Sequence, residues 1–128
     1  MSQPSSGAGW AATNIDDLGD GPGFRKIRRA LDVTAFGINA VVLPAGAETP
    51  RHYHERQEEV YFVHRGRIEV EFGDGERVAL GPGGVVRVAP ETVRNLRNTG
   101  DEDAVFVAVG GKDGYVGRDG RPPEEPRT

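Results

Sequence analysis

Glycine and proline recur along this chain at intervals too short for long helices. The sequence has 19 glycines and 9 prolines in 128 residues, and turn-forming groups lie at 44–50, 64–67, 73–75, 81–84 and 98–103. Short strands separated by such turns are typical of a β-sandwich or a β-barrel. We find no apolar periodicity that would support a helix of three turns. The spacing of the turns therefore predicts an all-β fold.

The segments between these turns have the patterns of strands. Apolar and charged residues alternate from Arg67 to Phe72, which is typical of a strand with one buried face and one exposed face. Residues 104–109, "AVFVAV", are apolar on both faces and predict a central strand. Residues 35–43 and 85–88 are further strand candidates.

The length suits a single domain with one core. The N-terminal residues are small and polar, and the C-terminal residues are rich in glycine, proline and charge, so neither end buries much apolar surface. We expect a flexible N-terminal arm over 1–13, a β-barrel over 14–110 and a mostly flexible C-terminal tail over 111–128.

Composition also bears on location and partners. The net charge of -4 gives no basic face for nucleic acid, so no nucleic-acid partner is expected. No apolar run approaches the ~18 residues of a membrane span, and the N-terminus lacks the features of a signal peptide. The absence of cysteine excludes thiolate ligands and disulfides and fits a reducing compartment. These features predict a cytoplasmic protein without a membrane partner.

All three histidines lie within the segment 51–67, "RHYHERQEEVYFVHRGR". In a strand, His52 and His54 would point to the same face about 7 Å apart, where both imidazoles could reach one ion. Glu58 or Glu59 would complete a set of two histidines and one carboxylate, which suits Fe(II) and accepts Mn, Ni or Zn. Periodicity does not decide between the two glutamates. His64, within an apolar run before a turn, is interpreted as structural.

The segment "GAETPRHYHERQEEVYFVHRG" resembles the first motif of the cupins. The match runs residue by residue through Gly46, His52, His54, Glu59 and Gly66. The resemblance implies a small double-stranded β-helix, or jelly-roll, barrel whose interior holds a metal. It also implies that His52, His54 and Glu59, rather than Glu58, are the ligands.

The second cupin motif is present without its histidine. In "GVVRVAPETVRNLRN", the motif positions hold Gly84, Pro90, Thr92, Arg94 and Asn98. Arg94 stands where the resemblance places a fourth metal ligand. A guanidinium has no lone pair for a metal and stays protonated, so Arg94 cannot replace the histidine as a ligand.

Three arrangements would reconcile Arg94 with the other site residues. Arg94 could bind an anionic ligand that bridges to a metal on the triad. It could instead pair with Glu59 and replace the metal as a fixed cation, or turn outward from the site. Direct approach is unfavourable, since a divalent ion 4 Å from a unit charge costs about 8 kcal/mol at an effective dielectric constant of about 20.

The resemblance leaves the reaction open, because cupins include dioxygenases, isomerases and binding proteins without catalysis. We expect a divalent transition metal (Fe, Mn, Ni or Zn) on His52, His54 and Glu59. We also expect a small, anionic organic ligand contacted by Arg94 and Tyr61, with dioxygenase or isomerase-like activity as one outcome. The alternative is a metal-free, non-catalytic binding protein in which Arg94 pairs with Glu59. The resemblance further implies a homodimer.

Overall fold

A computed structural model describes residues 3–123 of the chain. The described part is built almost entirely from short antiparallel strands, which confirms the predicted all-β class. The strands are β1 (Ser5–Gly7), β2 (Trp10–Ala12), β3 (Gly23–Arg25), β4 (Gly37–Leu43), β5 (Tyr53–His54), β6 (Glu58–Arg65), β7 (Ile68–Phe72), β8 (Arg77–Leu80), β9 (Val85–Val88), β10 (Arg94–Asn98), β11 (Ala104–Gly111) and β12 (Gly120–Arg121), and the helical pieces are a 3₁₀ turn at Ile15–Asp17 and α1 (Ile27–Leu31).

Two larger sheets carry the architecture. One has five strands in the order β3-β4-β11-β6-β9, and the other has three in the order β10-β7-β8. Two small sheets pair β1 with β2 and β12 with β5. Within the described residues the hydrogen bonding does not run around the molecule as one closed barrel.

The main core lies between the two larger sheets. Every second residue of the five-stranded sheet points toward this core, as Tyr61 and Val63 of β6 show. The three-stranded sheet contributes alternate residues in the same way, including Ile68 and Val70 of β7. Each large apolar side chain buried this way contributes roughly 1.5–3 kcal/mol to folding. The buried members of this core are Val41, Leu43, Tyr61, Val63, Ile68, Val70, Val88, Leu96, Ala104 and Phe106.

A second, smaller core lies on the outer face of the five-stranded sheet. Ala40, Val42 and Val105 point outward there and are covered by Ile15 and Ile27. The 3₁₀ turn and α1 carry these two covering residues, so the segment before β4 acts as a cap on the sheet. The basic sequence 25–29 is therefore divided between the end of edge strand β3 and α1.

Gly66 makes the tight turn between β6 and β7. Its φ of 80° lies in the left-handed region, and a Cβ there would fall 2.8 Å from the backbone Cα of Ala104. Only glycine fits both constraints without strain. The turn fixes the direction in which the chain leaves the five-stranded sheet for the three-stranded one.

The division of the chain into 1–13, 14–110 and 111–128 stays a prediction. Within the first range, β1 and β2 form a hairpin with a left-handed Gly9, and within the last, β12 pairs with β5. The parts of the predicted arm and tail at 1–2 and 124–128 lie outside the described residues. Across residues 3–123, no helix is long and apolar enough to cross a membrane.

Candidate metal and ligand site

The structure brings His52, His54 and Glu59 together. His52 pairs through its backbone with Arg94 across an isolated bridge, and His54 ends the short strand β5. The two imidazole centroids are 5.2 Å apart, and one potential ligand atom from each of the three residues lies within 4.8 Å of the others. The three side chains thus converge on one point between the sheets.

A turn over 55–57 decides which glutamate joins the histidines. The chain leaves β5 after His54, turns, and begins β6 at Glu58. Because of this break, Glu59 points inward, while Glu58 is exposed and forms an ion pair with Arg87 on the outer side. On an unbroken strand Glu58, four residues after His54, would have shared its face, and Glu59 would have pointed away.

His52 presents an unprotonated nitrogen. Its Nδ1 lies 3.0 Å from the carbonyl oxygen of Pro50, which can only accept a hydrogen bond, so Nδ1 carries the proton and donates it. Burial lowers the pKa of His52, and the positive charge of Arg94 lowers it further against the opposing effect of the Pro50 hydrogen bond. The ring is therefore neutral at physiological pH, with a free lone pair on Nε2.

His54 is held from both sides of its ring. Its Nε2 lies 3.2 Å from Oε1 of Glu59, and its Nδ1 lies 2.9 Å from the amide nitrogen of Gln57. With an amide N–H directed at Nδ1, the proton of His54 sits on Nε2 and is donated to Glu59. Binding an ion through Nε2 would require that proton to move to Nδ1 and the Gln57 amide to present its oxygen.

Arg94 is completely buried behind this group. Its Nη1 donates to the carbonyl oxygens of Thr92 at 2.7 Å and Pro90 at 3.1 Å, its Nη2 donates to Oε1 of Glu59 at 2.9 Å, and its Nε donates to the hydroxyl of Tyr61 at 3.1 Å. The outward arrangement of Arg94 is excluded, and the pairing with Glu59 is observed.

Glu59 and Tyr61 form the polar face that Arg94 supports. Burial alone would raise the pKa of Glu59, but hydrogen bonds from His54 and Tyr61, together with the positive charge of Arg94, lower it to about 2. The Tyr61 hydroxyl donates to Oε1 of Glu59 at 2.5 Å. Burial, and then the charge of Glu59, raise the pKa of Tyr61, so the phenol stays protonated.

A cavity of about 790 Å³ opens onto the triad. His52, His54, Glu59 and Tyr61 border it, whereas Arg94 does not. Much of the remaining wall is apolar and comes from β4, β10 and β11, with the segment 115–122 along one side. The volume suits a small organic molecule.

The sequence reasoning missed two residues of this site, Gln57 and Asp119. Asp119 is 6% exposed, and its Oδ2 accepts the backbone N–H groups of Arg56 and Gln57, each at 2.8 Å. The same oxygen lies 3.8 Å from Nδ1 of His54. Burial would raise the pKa of Asp119, but these two N–H groups and the positive charge of Arg121 lower it, so the group is ionised. No local pattern in "GRDGR" signals this role.

Solved structures share this architecture. An uncharacterized conserved protein with a double-stranded β-helix domain from Klebsiella pneumoniae superposes with a TM-score of 0.74 at 19% identity, covering 89% of this chain and 97% of its own. A cupin-superfamily sugar phosphate isomerase from Silicibacter pomeroyi gives 0.68 at 24%, covering 79% and 75%. A DMSP lyase from Ruegeria pomeroyi gives 0.60 at 25%, covering 69% of this chain but only 43% of the lyase.

These likenesses confirm the predicted double-stranded β-helix fold of the cupin type. Among proteins with curated descriptions, none matches this sequence. The family model described as "Cupin domain" matches residues 39–110, which is more than half of the chain and includes both motif segments. The chain therefore belongs to the cupin family.

Proposed function

We propose that this cupin binds a small organic ligand in its cavity beside a divalent transition metal ion held by His52, His54 and Glu59. The observation that carries the proposal is the convergence of these three donors, within 4.8 Å of one another, on the cavity wall. Fe, Mn, Ni or Zn would accept this ligand set. Such an ion would supply Lewis-acid chemistry or dioxygen activation, as an isomerase-like enzyme or a dioxygenase requires.

The donor set fits an ion despite the buried arginine. The contacts that Arg94, Tyr61 and His54 make with the Glu59 carboxylate all involve Oε1, which leaves Oε2 available as a ligand. His52 already has its proton on the nitrogen facing away. The positive charge of Arg94 nevertheless offsets that of the carboxylate, so we expect weaker binding than in a site with a fourth histidine.

The ligand is proposed to be anionic. Arg94 does not border the cavity, so the negative charge would instead meet Lys26, Arg28 and Arg29, the basic residues that we call the cavity mouth. A smaller cavity of about 280 Å³ adjoins the first, sharing Phe24 and Tyr115 with it, and is lined by Lys26, Arg28 and Arg29. Among the residues that the structure describes, none of these three cations has a carboxylate within 4.0 Å.

Inside the cavity, Tyr61 is the proposed polar contact of the ligand. Its hydroxyl donates to Glu59 and accepts from Arg94, and the second lone pair of the oxygen stays available to a ligand donor. Arg94 would then act on the ligand through Tyr61 and Glu59, by fixing the orientation of both.

A metal-free, non-catalytic binding protein is the second candidate. It is favoured by the ion pair itself, because Arg94 already supplies Glu59 with a positive partner at 2.9 Å. In that case the same cavity would hold the organic ligand without an ion.

Elemental analysis of protein purified without a polyhistidine tag distinguishes the two candidates. We expect Fe, Mn, Ni or Zn in the parent, and at least about a 100-fold loss of affinity in His52→Ala, which exceeds the 10- to 100-fold typical of outer-sphere changes. His64→Ala is the matched control, because His64 is exposed outside the triad. Arg94→His should bind more tightly. A parent and an Arg94→His variant that both lack metal and keep their melting temperatures with a chelator would support the metal-free candidate.

A further inference from the structure

The segment that follows the cupin match is tied to the strand carrying His54. In β12, Gly120 pairs with His54 and Arg121 pairs with Tyr53. The Arg121 side chain adds a hydrogen bond from Nε to Oε1 of Glu55 at 2.5 Å. This segment lies beyond residue 110, where the family match ends, and it borders the cavity.

Asp119 fixes the turn that separates His54 from Glu59. Its Oδ2 accepts the N–H groups of Arg56 and Gln57, which would otherwise lack partners in the turn between β5 and β6. Holding Gln57 in this way also places its amide group against Nδ1 of His54. Two groups therefore lie beside Nδ1 of His54, the Gln57 amide and the Asp119 carboxylate itself, and Asp119 determines the position of the amide.

The charge of Asp119 acts on the proton of His54. Two carboxylates flank the ring, Glu59 at 3.2 Å from Nε2 and Asp119 at 3.8 Å from Nδ1. A carboxylate on one side of an imidazole stabilises the tautomer with the proton on that side. Glu59 therefore favours a proton on Nε2, and Asp119 favours one on Nδ1, which frees Nε2 toward the triad.

We propose that Asp119 is a positioning residue that stabilises the ligand-ready tautomer of His54. Its two hydrogen bonds set the turn, and its charge lowers the cost of moving the His54 proton from Nε2 to Nδ1. The consequence for metal affinity rests on the proposed function, whereas the effect on the tautomer does not require a metal.

The test is ¹⁵N NMR of the imidazole nitrogens in metal-free protein, at a pH above the titration range of histidine. Asp119→Asn keeps an oxygen acceptor for the turn but removes the charge, and we expect a severalfold fall in the Nδ1–H to Nε2–H ratio of His54 with little change in melting temperature. Asp119→Ala should lower both. Asp101→Asn, which removes an exposed carboxylate, should change neither. An unchanged His54 ratio in Asp119→Asn would overturn the proposal.

Metal titration of the same variants separates this proposal from the proposed function. If the triad binds metal, Asp119→Asn should weaken the affinity by roughly 10- to 100-fold, the usual effect of losing an outer-sphere partner. If the parent binds no metal while its His54 tautomer ratio still depends on Asp119, the proposed function fails and the role of Asp119 stands. Unchanged metal affinity together with an unchanged tautomer ratio would contradict the role of Asp119 alone.

Discussion

Three donors converge on a single oxygen of Glu59. Arg94 at 2.9 Å, Tyr61 at 2.5 Å and His54 at 3.2 Å all address Oε1. Arg94 is completely buried. Among the described residues, Glu59 is the only acidic residue that forms an ion pair with it. A buried cation that loses such a partner costs about 3–5 kcal/mol. Glu59 therefore stabilises the folded protein whether or not it also binds an ion.

We predict that Glu59→Gln lowers the free energy of unfolding by about 3–5 kcal/mol, because Arg94 stays buried without a counter-charge. The measurement is denaturant unfolding at neutral pH, in the presence of a chelator. The double variant Glu59→Gln/Arg94→Met is the control, since replacing both charges by groups of similar size is often nearly neutral. A double variant that is less stable than the single one would contradict this account.

The same pair predicts how stability falls in acid. The folded-state pKa of Glu59 is about 2, below its ordinary value of 4.5, so its contribution is complete above about pH 4.5 and is lost as the pH falls toward 2. The difference corresponds to roughly 3 kcal/mol. Between about pH 4.5 and 2, the free energy of unfolding of the parent should fall by this amount more than that of Glu59→Gln does. Parallel losses in the two proteins would show that Glu59 is not the group responsible.

At the scale of elements, strands with one buried face could be predicted from the sequence. The direction in which a turn sends the next strand, and the distant residues that hold the turn, could not. Alternation over Arg67–Phe72 gave β7, because burial of one face imposes a period of two. Periodicity could not show how the chain continues after His54, because a run of polar residues in a turn does not indicate which residue of the next strand points inward. Asp119 was missed for another reason: its partners lie 62 and 63 residues away, and no local pattern encodes such a contact.

The turn at Gly66 gives a prediction at this scale. Gly66→Ala would place a Cβ 2.8 Å from the Ala104 backbone in a left-handed conformation, so we expect a loss of more than about 2 kcal/mol in unfolding free energy. Gly75→Ala is the matched control, because Gly75 has a φ of 91° but nothing within 4 Å of its would-be Cβ. It should lose only about 1–2 kcal/mol. Equal losses would mean that the contact with β11 does not constrain the turn.

Across the whole molecule, charge is distributed unevenly. The chain carries a net charge of -4, yet Lys26, Arg28 and Arg29 gather beside the cavity mouth. The guanidinium carbon of Arg28 lies 3.9 Å from the ring centroid of Tyr115, which holds that cation against an aromatic wall. Cations grouped at a cavity attract anions from solution, even when the protein as a whole is acidic. The mouth therefore combines exposed aromatic surface with positive charge.

This arrangement predicts selective binding of an aromatic anion. Phenyl phosphate should bind more tightly than neutral phenol, and raising the salt concentration from 0.1 M to 1 M, which shortens the screening length from about 10 Å to about 3 Å, should remove most of the difference. Lys26→Ala and Arg29→Ala should each weaken phenyl phosphate by roughly threefold, since an exposed charge contact is worth about 0.2–1 kcal/mol. Calorimetric titration measures each affinity.

Arg67→Ala separates the cluster from the net charge of the protein. It removes the same charge, but Arg67 borders neither cavity, so phenyl phosphate should bind this variant as it binds the parent. An equal loss in Arg67→Ala would mean that the overall charge, and not the position of the cations, governs the affinity. Equal binding of phenol and phenyl phosphate at low salt would count against an anionic ligand altogether. The cations line a cavity that shares Phe24 and Tyr115 with the larger one, and this position is the reason to expect neither result.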